Sequence, residues 1–182
     1  MKKNKFFTPI AGIILTFAIV LSFLVVFKGT DFILIKYYYF SGYSKQKSYD
    51  NQGAIKDYSK VLKLDDKFVT AYISRGSAYL DLKKYNDAIS DYNKAIELNP
   101  IDPQAYAYRG RTYYEINQYE DALHDYDKAI TFDSNFAYAY YNRGLIKYTI
   151  YMDFINGCAD FKIASNLGSD DAIDIINSGK CE

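Results

Sequence analysis

Residues 71–104 read AYISRGSAYLDLKKYNDAISDYNKAIELNPIDPQ, and residues 105–138 repeat the pattern as AYAYRGRTYYEINQYEDALHDYDKAITFDSNFAY. No other feature restricts the fold as much. A chain that echoes itself at a fixed interval of a few tens of residues builds a row of similar units, each burying a face against its neighbour. The interval here is 34 residues, and several columns keep it in step: Gly42, Gly76, Gly110 and Gly144; Ala54, Ala88 and Ala122; Tyr58, Tyr92 and Tyr126; Leu64, Leu98 and Phe132. Within a unit the glycine lies twelve residues before the alanine and the alanine four before the tyrosine. That spacing puts small and large residues on facing stripes of two consecutive helices, so each unit is a helical hairpin. The small residues let the backbones approach, and Tyr79, Tyr85 and Tyr92, or Tyr113, Tyr119 and Tyr126, fill the space around them.

In the second unit Tyr72, Gly76, Tyr79, Ala88, Tyr92, Ala95 and Pro100, and in the third Tyr106, Gly110, Tyr113, Ala122, Tyr126 and Ala129, resemble the signature of the tetratricopeptide repeat, with Ser134 where that family usually has proline. The resemblance implies an all-α, right-handed superhelical solenoid of helix-turn-helix repeats. It also implies a concave groove, lined by the first helix of each hairpin, that accepts a protein or peptide ligand.

Ahead of the repeats, residues 9–27 carry no charge. Nineteen helical residues span about 28 Å, close to the roughly 30 Å hydrocarbon core of a bilayer, so one transmembrane helix is expected there. A cleavable signal would have a shorter apolar core and small residues at its end, whereas Val25, Val26, Phe27 and Lys28 close this run. Lys2, Lys3 and Lys5 precede it with no acidic residue in the first thirty, which favours a cytoplasmic segment 1–8 and repeats on the extracytoplasmic side. A second arrangement puts the repeats in the cytosol on the outer face of an organelle. No Pro/Gly/Ser-rich linker follows, so the repeats are expected to stand close to the membrane surface. Asp31 to Phe40, DFILIKYYYF, reads as a short connection into the first helix. Tyr37, Tyr38 and Tyr39 are assigned to packing in the first repeat, with an interfacial aromatic belt as the alternative.

Four hairpins are expected over residues 35–168, the first and fourth degenerate, with helices at 35–48, 51–64, 69–82, 85–98, 103–116, 119–132, 137–150 and 154–167. Residues 169–182 form a capping helix and tail, with Gly168 ending one helix and Ser169 opening the next. From Gly144 the next small position is Gly157, thirteen residues on, which places one extra residue near Met152 and Asp153.

The chain beyond residue 28 holds 18 basic and 22 acidic side chains, which argues against nucleic acid as a partner. Clustered metal ligands, phosphate loops and nucleophile triads are missing, so no catalytic residue, cofactor or metal is assigned and the chain reads as non-enzymatic, with an enzyme site made from Tyr and Arg in the groove as the alternative. The single histidine, His124, reads as exposed surface. One polar pattern does repeat. Arg75, Arg109 and Arg143 each precede the signature glycine, while Asp91, Asp125 and Asp160 each precede the second-helix aromatic. A structural ion-pair ladder is expected, with Ser41 facing Asp57 in a first unit that lacks the pair.

The groove positions that the resemblance points to are Tyr39, Tyr43, Ser74, Ser77, Tyr108, Arg111, Tyr114, Tyr138, Tyr141, Asn142 and Tyr148. Tyrosine supplies contact area and a hydroxyl at low entropic cost, which suits recognition. Family members that clamp a terminal carboxylate use Lys and Asn where this chain has Tyr39, Tyr43 and Ser74, which speaks against that ligand. The two cysteines, Cys158 and Cys181, are expected to form a disulfide that pins the terminal cap. The alternative is a buried free thiol at Cys158.

Overall fold

The computed structural model describes residues 30–181, and the run at 9–27 assigned to a membrane helix lies outside them. Nine helices and no strand are present among the described residues. Helix α1 covers 30–47. It is followed by α2 (Asn51–Leu64), α3 (Val69–Asp81), α4 (Tyr85–Leu98), α5 (Pro103–Glu115), α6 (Tyr119–Phe132), α7 (Ala137–Thr149), α8 (Phe154–Asn166) and α9 (Asp170–Asn177). They pair as four antiparallel hairpins, α1/α2 to α7/α8, with α9 laid against α8. The first helices also touch in series, α3 with α5 and α5 with α7, as in an all-α solenoid. None of the described helices is long and apolar enough to cross a membrane.

Boundaries follow from local chemistry. Asp102 accepts from the backbone N–H of Gln104 and Ala105 with Pro103 in the first turn, Asp153 accepts from Asn156, and Ser169 accepts from Ala172. Gly168, with φ of +87°, turns the chain between α8 and α9 in the left-handed region where glycine carries no Cβ penalty. Each turn inside a hairpin pivots on a left-handed residue: Tyr49, Lys83, Asn117 and Met152 have φ of 64°, 58°, 61° and 55°. The first three keep the 34-residue period and the fourth is one residue late, so the extra residue sits in the turn after α7.

The cores are built from the repeating columns. Ala54, Ala88 and Ala122 are fully buried, as are Tyr58 and Tyr92, while Tyr126 and Phe161 are 1 % exposed. A Cβ at Gly76 would lie 2.7 Å from the Tyr92 ring, so the helices meet there only because no side chain stands between them.

One element differs from expectation. The segment 31–40 is not a connection but the body of α1, which is already helical at residue 30. It contains no breaker, and helical spacing turns Ile35, Tyr38 and Tyr39 onto the core formed with Val61, Leu62 and Ala71. Tyr37, assigned to the same packing, is instead 63 % exposed, because it lies on the opposite side of the helix.

Candidate functional site

The arginine column forms a continuous polar seam through the repeats. Arg75 donates from Nε and Nη2 to both carboxylate oxygens of Asp91, each at 2.7 Å. Arg109 holds Asp125 in the same fork at 2.7 Å twice, and Arg143 holds Asp160 at 2.9 and 2.6 Å. The third arm of each guanidinium reaches back to the preceding hairpin: Nη1 of Arg75 to Ser59 Oγ at 3.0 Å, of Arg109 to Asn93 Oδ1 at 2.6 Å, and of Arg143 to Asp127 Oδ1 at 2.6 Å. Tyr72 and Tyr79 flank Arg75 at 5.7 and 6.0 Å, and Tyr106 and Tyr113 flank Arg109 at 5.5 and 5.8 Å, so the cations are also held by ring faces. Burial works against the charge on these arginines, yet their carboxylate partners outweigh it and all three are held more firmly protonated than a free guanidinium.

The first hairpin solves the same problem differently. Asp57 is buried like its counterparts, and Ser41 donates to it at 2.7 Å, but Lys45 and Lys60 also supply ammonium groups. Burial alone would raise its carboxyl; the hydrogen bonds from Lys45, Ser41 and Lys60 overcome that and hold it at about 2. The charge expected to lack a partner in the first unit is therefore matched from one turn along α1. Lys147, in the same column as Lys45, adds a second cation to Asp160 at 2.9 Å. These bonds are internal, and three of the five N–H groups of each guanidinium are engaged within the protein.

An open cavity of about 470 Å³ lies at the carboxyl end of the row of first helices. It brings together Arg111 and Tyr114 of α5 with Tyr138, Tyr141 and Asn142 of α7, five of the groove positions read from the sequence. Glu115, Ala137 and Leu145 also line it, and Ser169 and Asp171 at the start of α9 close one side. Tyr108 stands behind it, between Tyr92 and Tyr138, with ring centroids 6.2 and 5.7 Å away. The Tyr138 hydroxyl is buried without a well-aligned hydrogen-bond partner, although the Arg111 guanidinium is close enough to act on it. Burial pushes the Tyr138 phenol up, and Arg111 pulls it partly back. The result is an aromatic recess with one cation, two carboxylates and one amide at its rim, suited to a mixed polar and apolar chain segment.

The other groove positions are placed elsewhere. The Tyr39 hydroxyl lies 3.4 Å from Ser74 Oγ while its ring packs on Tyr58 and Phe68, and Ser77 accepts from Gln46 at 3.2 Å. Tyr43 borders a smaller depression with Gln46 and Lys47. Tyr148 packs edge-on against Phe154 at 4.9 Å and donates to the Lys180 carbonyl at 3.3 Å, so it braces the terminal hairpin and does not line the cavity. His124 is exposed. Cys158 and Cys181 are bonded, with Cα atoms 5.4 Å apart, which fastens the tail beyond α9 onto α8. No group of three or more metal-ligating side chains converges among the described residues. Ser169 and Asp171 were missed because their place at the rim depends on how α9 folds back, which no 34-residue column encodes, and Glu115 because it ends α5 beyond the tyrosine pattern.

Family models described as tetratricopeptide repeat match residues 69–102 and 91–124, and one described as TPR repeat matches 110–150. No curated protein sequence matches the chain. Among solved structures, a crystal structure of MamA protein superposes with a TM-score of 0.64 at 26 % identity, over 81 % of this chain and 84 % of that one. The first TPR of Spaghetti (RPAP3), bound to the HSP90 peptide SRMEEVD, superposes with a TM-score of 0.61 at 27 % identity, over 64 % of this chain and 93 % of that one. MamA from Desulfovibrio magneticus RS-1 shares the fold with a TM-score of 0.64 at 23 % identity, over 73 % of this chain and 75 % of that one. The units within residues 69–150 of this solenoid are thus matched as tetratricopeptide repeats.

Proposed function

We propose that the chain is a membrane-anchored, non-catalytic interaction module that holds a partner protein through the recess between α5, α7 and α9. The observation that carries this reading is the recess itself, where Tyr114, Tyr138 and Tyr141 form an apolar wall with Arg111 and Asn142 at its rim. A structural relative of the same repeat type is bound to a peptide, which supports an extended segment as the ligand. An acidic tail of that kind is not the favoured one, because Glu115 and Asp171 share the rim with Arg111, and Tyr39, Tyr43 and Ser74 stand in the clamp positions. The favoured ligand is a peptide carrying an aromatic or aliphatic anchor beside a carboxylate that Arg111 can meet and an amide that Asn142 can meet.

Residues 9–27 act as the tether, with 1–8 on the cytoplasmic side and the repeats outside. The Cys158–Cys181 bridge supports an oxidising surrounding for the repeats. Nucleic acid is disfavoured by the acidic balance beyond residue 28. A photo-crosslinking side chain at position 114, in the full chain in native membranes, should capture one protein that the same probe at exposed position 124 does not. The added substitution Arg111→Glu should abolish the product. Equal capture at both positions, or none at 114, overturns the recess as the site. Protease added outside intact cells should reach the repeats; protection of the repeats would instead favour the organelle arrangement.

A further inference from the structure

The first hairpin presents a second surface that the peptide recess does not use. Phe32, Ile33, Tyr37, Phe40 and Tyr43 of α1 are 58, 66, 63, 65 and 49 % exposed. At about 100° per residue they form one stripe about 140° wide, opposite the face that packs on α2 and α3. Such a stripe at the end of a solenoid is ordinarily covered by a further repeat. The columns argue against that here. In the three following hairpins the position equivalent to Tyr37 is Ala71, Ala105 or Ala139, each fully buried against the preceding hairpin. A tyrosine in that place blocks the close approach that an added repeat, or the last repeat of a second copy, would need.

We propose that this face of α1 lies in the headgroup region of an anionic bilayer and seats the solenoid flat on the membrane. The proposal rests on the reading of residues 9–27 as a bilayer span, which ends five residues before Phe32. A linker that short keeps α1 beside the interface, since its residues reach at most about 3.3–3.6 Å each. Upright, α1 would lift Tyr43 about 16 Å above Phe32, beyond the interfacial layer; lying in the plane, it brings the whole stripe into that layer. Phenylalanine and tyrosine with lysine among them is the composition of an interfacial helix. Lys36 arches over Phe32 with its ammonium 4.4 Å from the ring, leaving its charge free to reach the headgroups. Charge agrees. Residues 30–64 hold six lysines against three aspartates, a net +3, whereas residues 65–182 hold 12 basic against 19 acidic side chains, a net −7. An anionic surface therefore attracts the first hairpin and repels the rest, which fixes the orientation.

The chain has no tryptophan, so a single one reports its own surroundings. The full chain carrying Phe40→Trp is reconstituted in vesicles of phosphatidylcholine with phosphatidylglycerol, using lipids brominated near the headgroup or near the chain end. Emission at position 40 should be blue-shifted and quenched more by shallow than by deep bromines, while Ile155→Trp on α8 should be unquenched. Emission from the Phe40→Trp chain that is unquenched, or blue-shifted without quenching because protein covers the indole, overturns the proposal. A Phe17→Trp chain tests the span separately. Deep quenching at 17 without quenching at 40 leaves the tether standing and removes the interfacial helix; quenching at 40 without quenching at 17 removes the tether and keeps the interface.

Discussion

In the three hairpins from α3 to α8 a guanidinium locks the two helices together and reaches back to the hairpin before, and the last of these hairpins is covered by α9 and fastened by a disulfide. The first hairpin shares the glycine, alanine and tyrosine columns but uses Ser41 and two lysines around Asp57, and its outer face carries Phe32, Tyr37 and Phe40 with no other described helix laid over them. Among the described residues one end is thus covered by a cap with Asp170, Asp171 and Asp174 turned to solvent, and the other presents apolar side chains. The contrast teaches where to look for an environment: the columns that the repeat needs for packing are intact in both regions, so packing within the repeat does not account for the departures at α1.

The largest expected effect comes from removing the buried carboxylate in each region. Asp125→Ala leaves Arg109, whose side chain is 17 % exposed, with only Asn93 as acceptor, and should cost about 3–5 kcal/mol in denaturant unfolding. Asp57→Ala should cost about 1 kcal/mol, because Lys45 and Lys60 are 37 and 40 % exposed and return to water. Equal losses would erase the distinction between the two kinds of joint. Next, replacing Cys158 and Cys181 with serine opens a loop with a sequence separation of 23 and should cost about 3 kcal/mol. Hydrogen exchange should quicken first in α9 and leave α1 unchanged; acceleration throughout would mean that the clasp supports more than its own end.

Smaller effects sharpen the argument about the exposed stripe. Ala105→Leu, in a column buried against the preceding hairpin, should lower stability by about 1–3 kcal/mol. Tyr37→Ala, in that same column at the open end, should change it by less than about 0.5 kcal/mol in detergent, where thermal melting can be followed. A large loss from Tyr37→Ala would show that the stripe is covered by protein.

Much of this architecture was legible because the repeat reads each position several times. Seven of the eight helices placed by the repeat begin where expected and end within a residue of it, and the offset from Gly144 to Gly157 located the four-residue turn at 150–153. Arg75, Arg109 and Arg143 and their aspartates were legible for the same reason. What stayed hidden depends on single occurrences. The start of α1 lies in a segment with no earlier repeat to compare with, so its apolar residues looked like a connection. The compensation of Asp57 by Lys45 requires a residue one turn away from the arginine column. Ser59, Asn93 and Asp127 do keep the period, but a hydroxyl, an amide and a carboxylate share acceptor chemistry without sharing an identity, so a search for matching letters passes over them. In the recess, Arg111, Tyr114, Tyr138, Tyr141 and Asn142 follow from which helix faces inward, whereas Ser169 and Asp171 arrive through the fold of the terminal cap.

That series of acceptors means that no two joints of the stack are made alike. The back-reaching arm of the guanidinium meets a hydroxyl at the first joint, an amide at the next and a carboxylate at the last, each bond charge-assisted by its donor. The first joint adds the Tyr39–Ser74 and Gln46–Ser77 contacts to its hydroxyl, so tension applied through α1 is shared among three side-chain bonds before it reaches the second hairpin, while the disulfide fastens the far end.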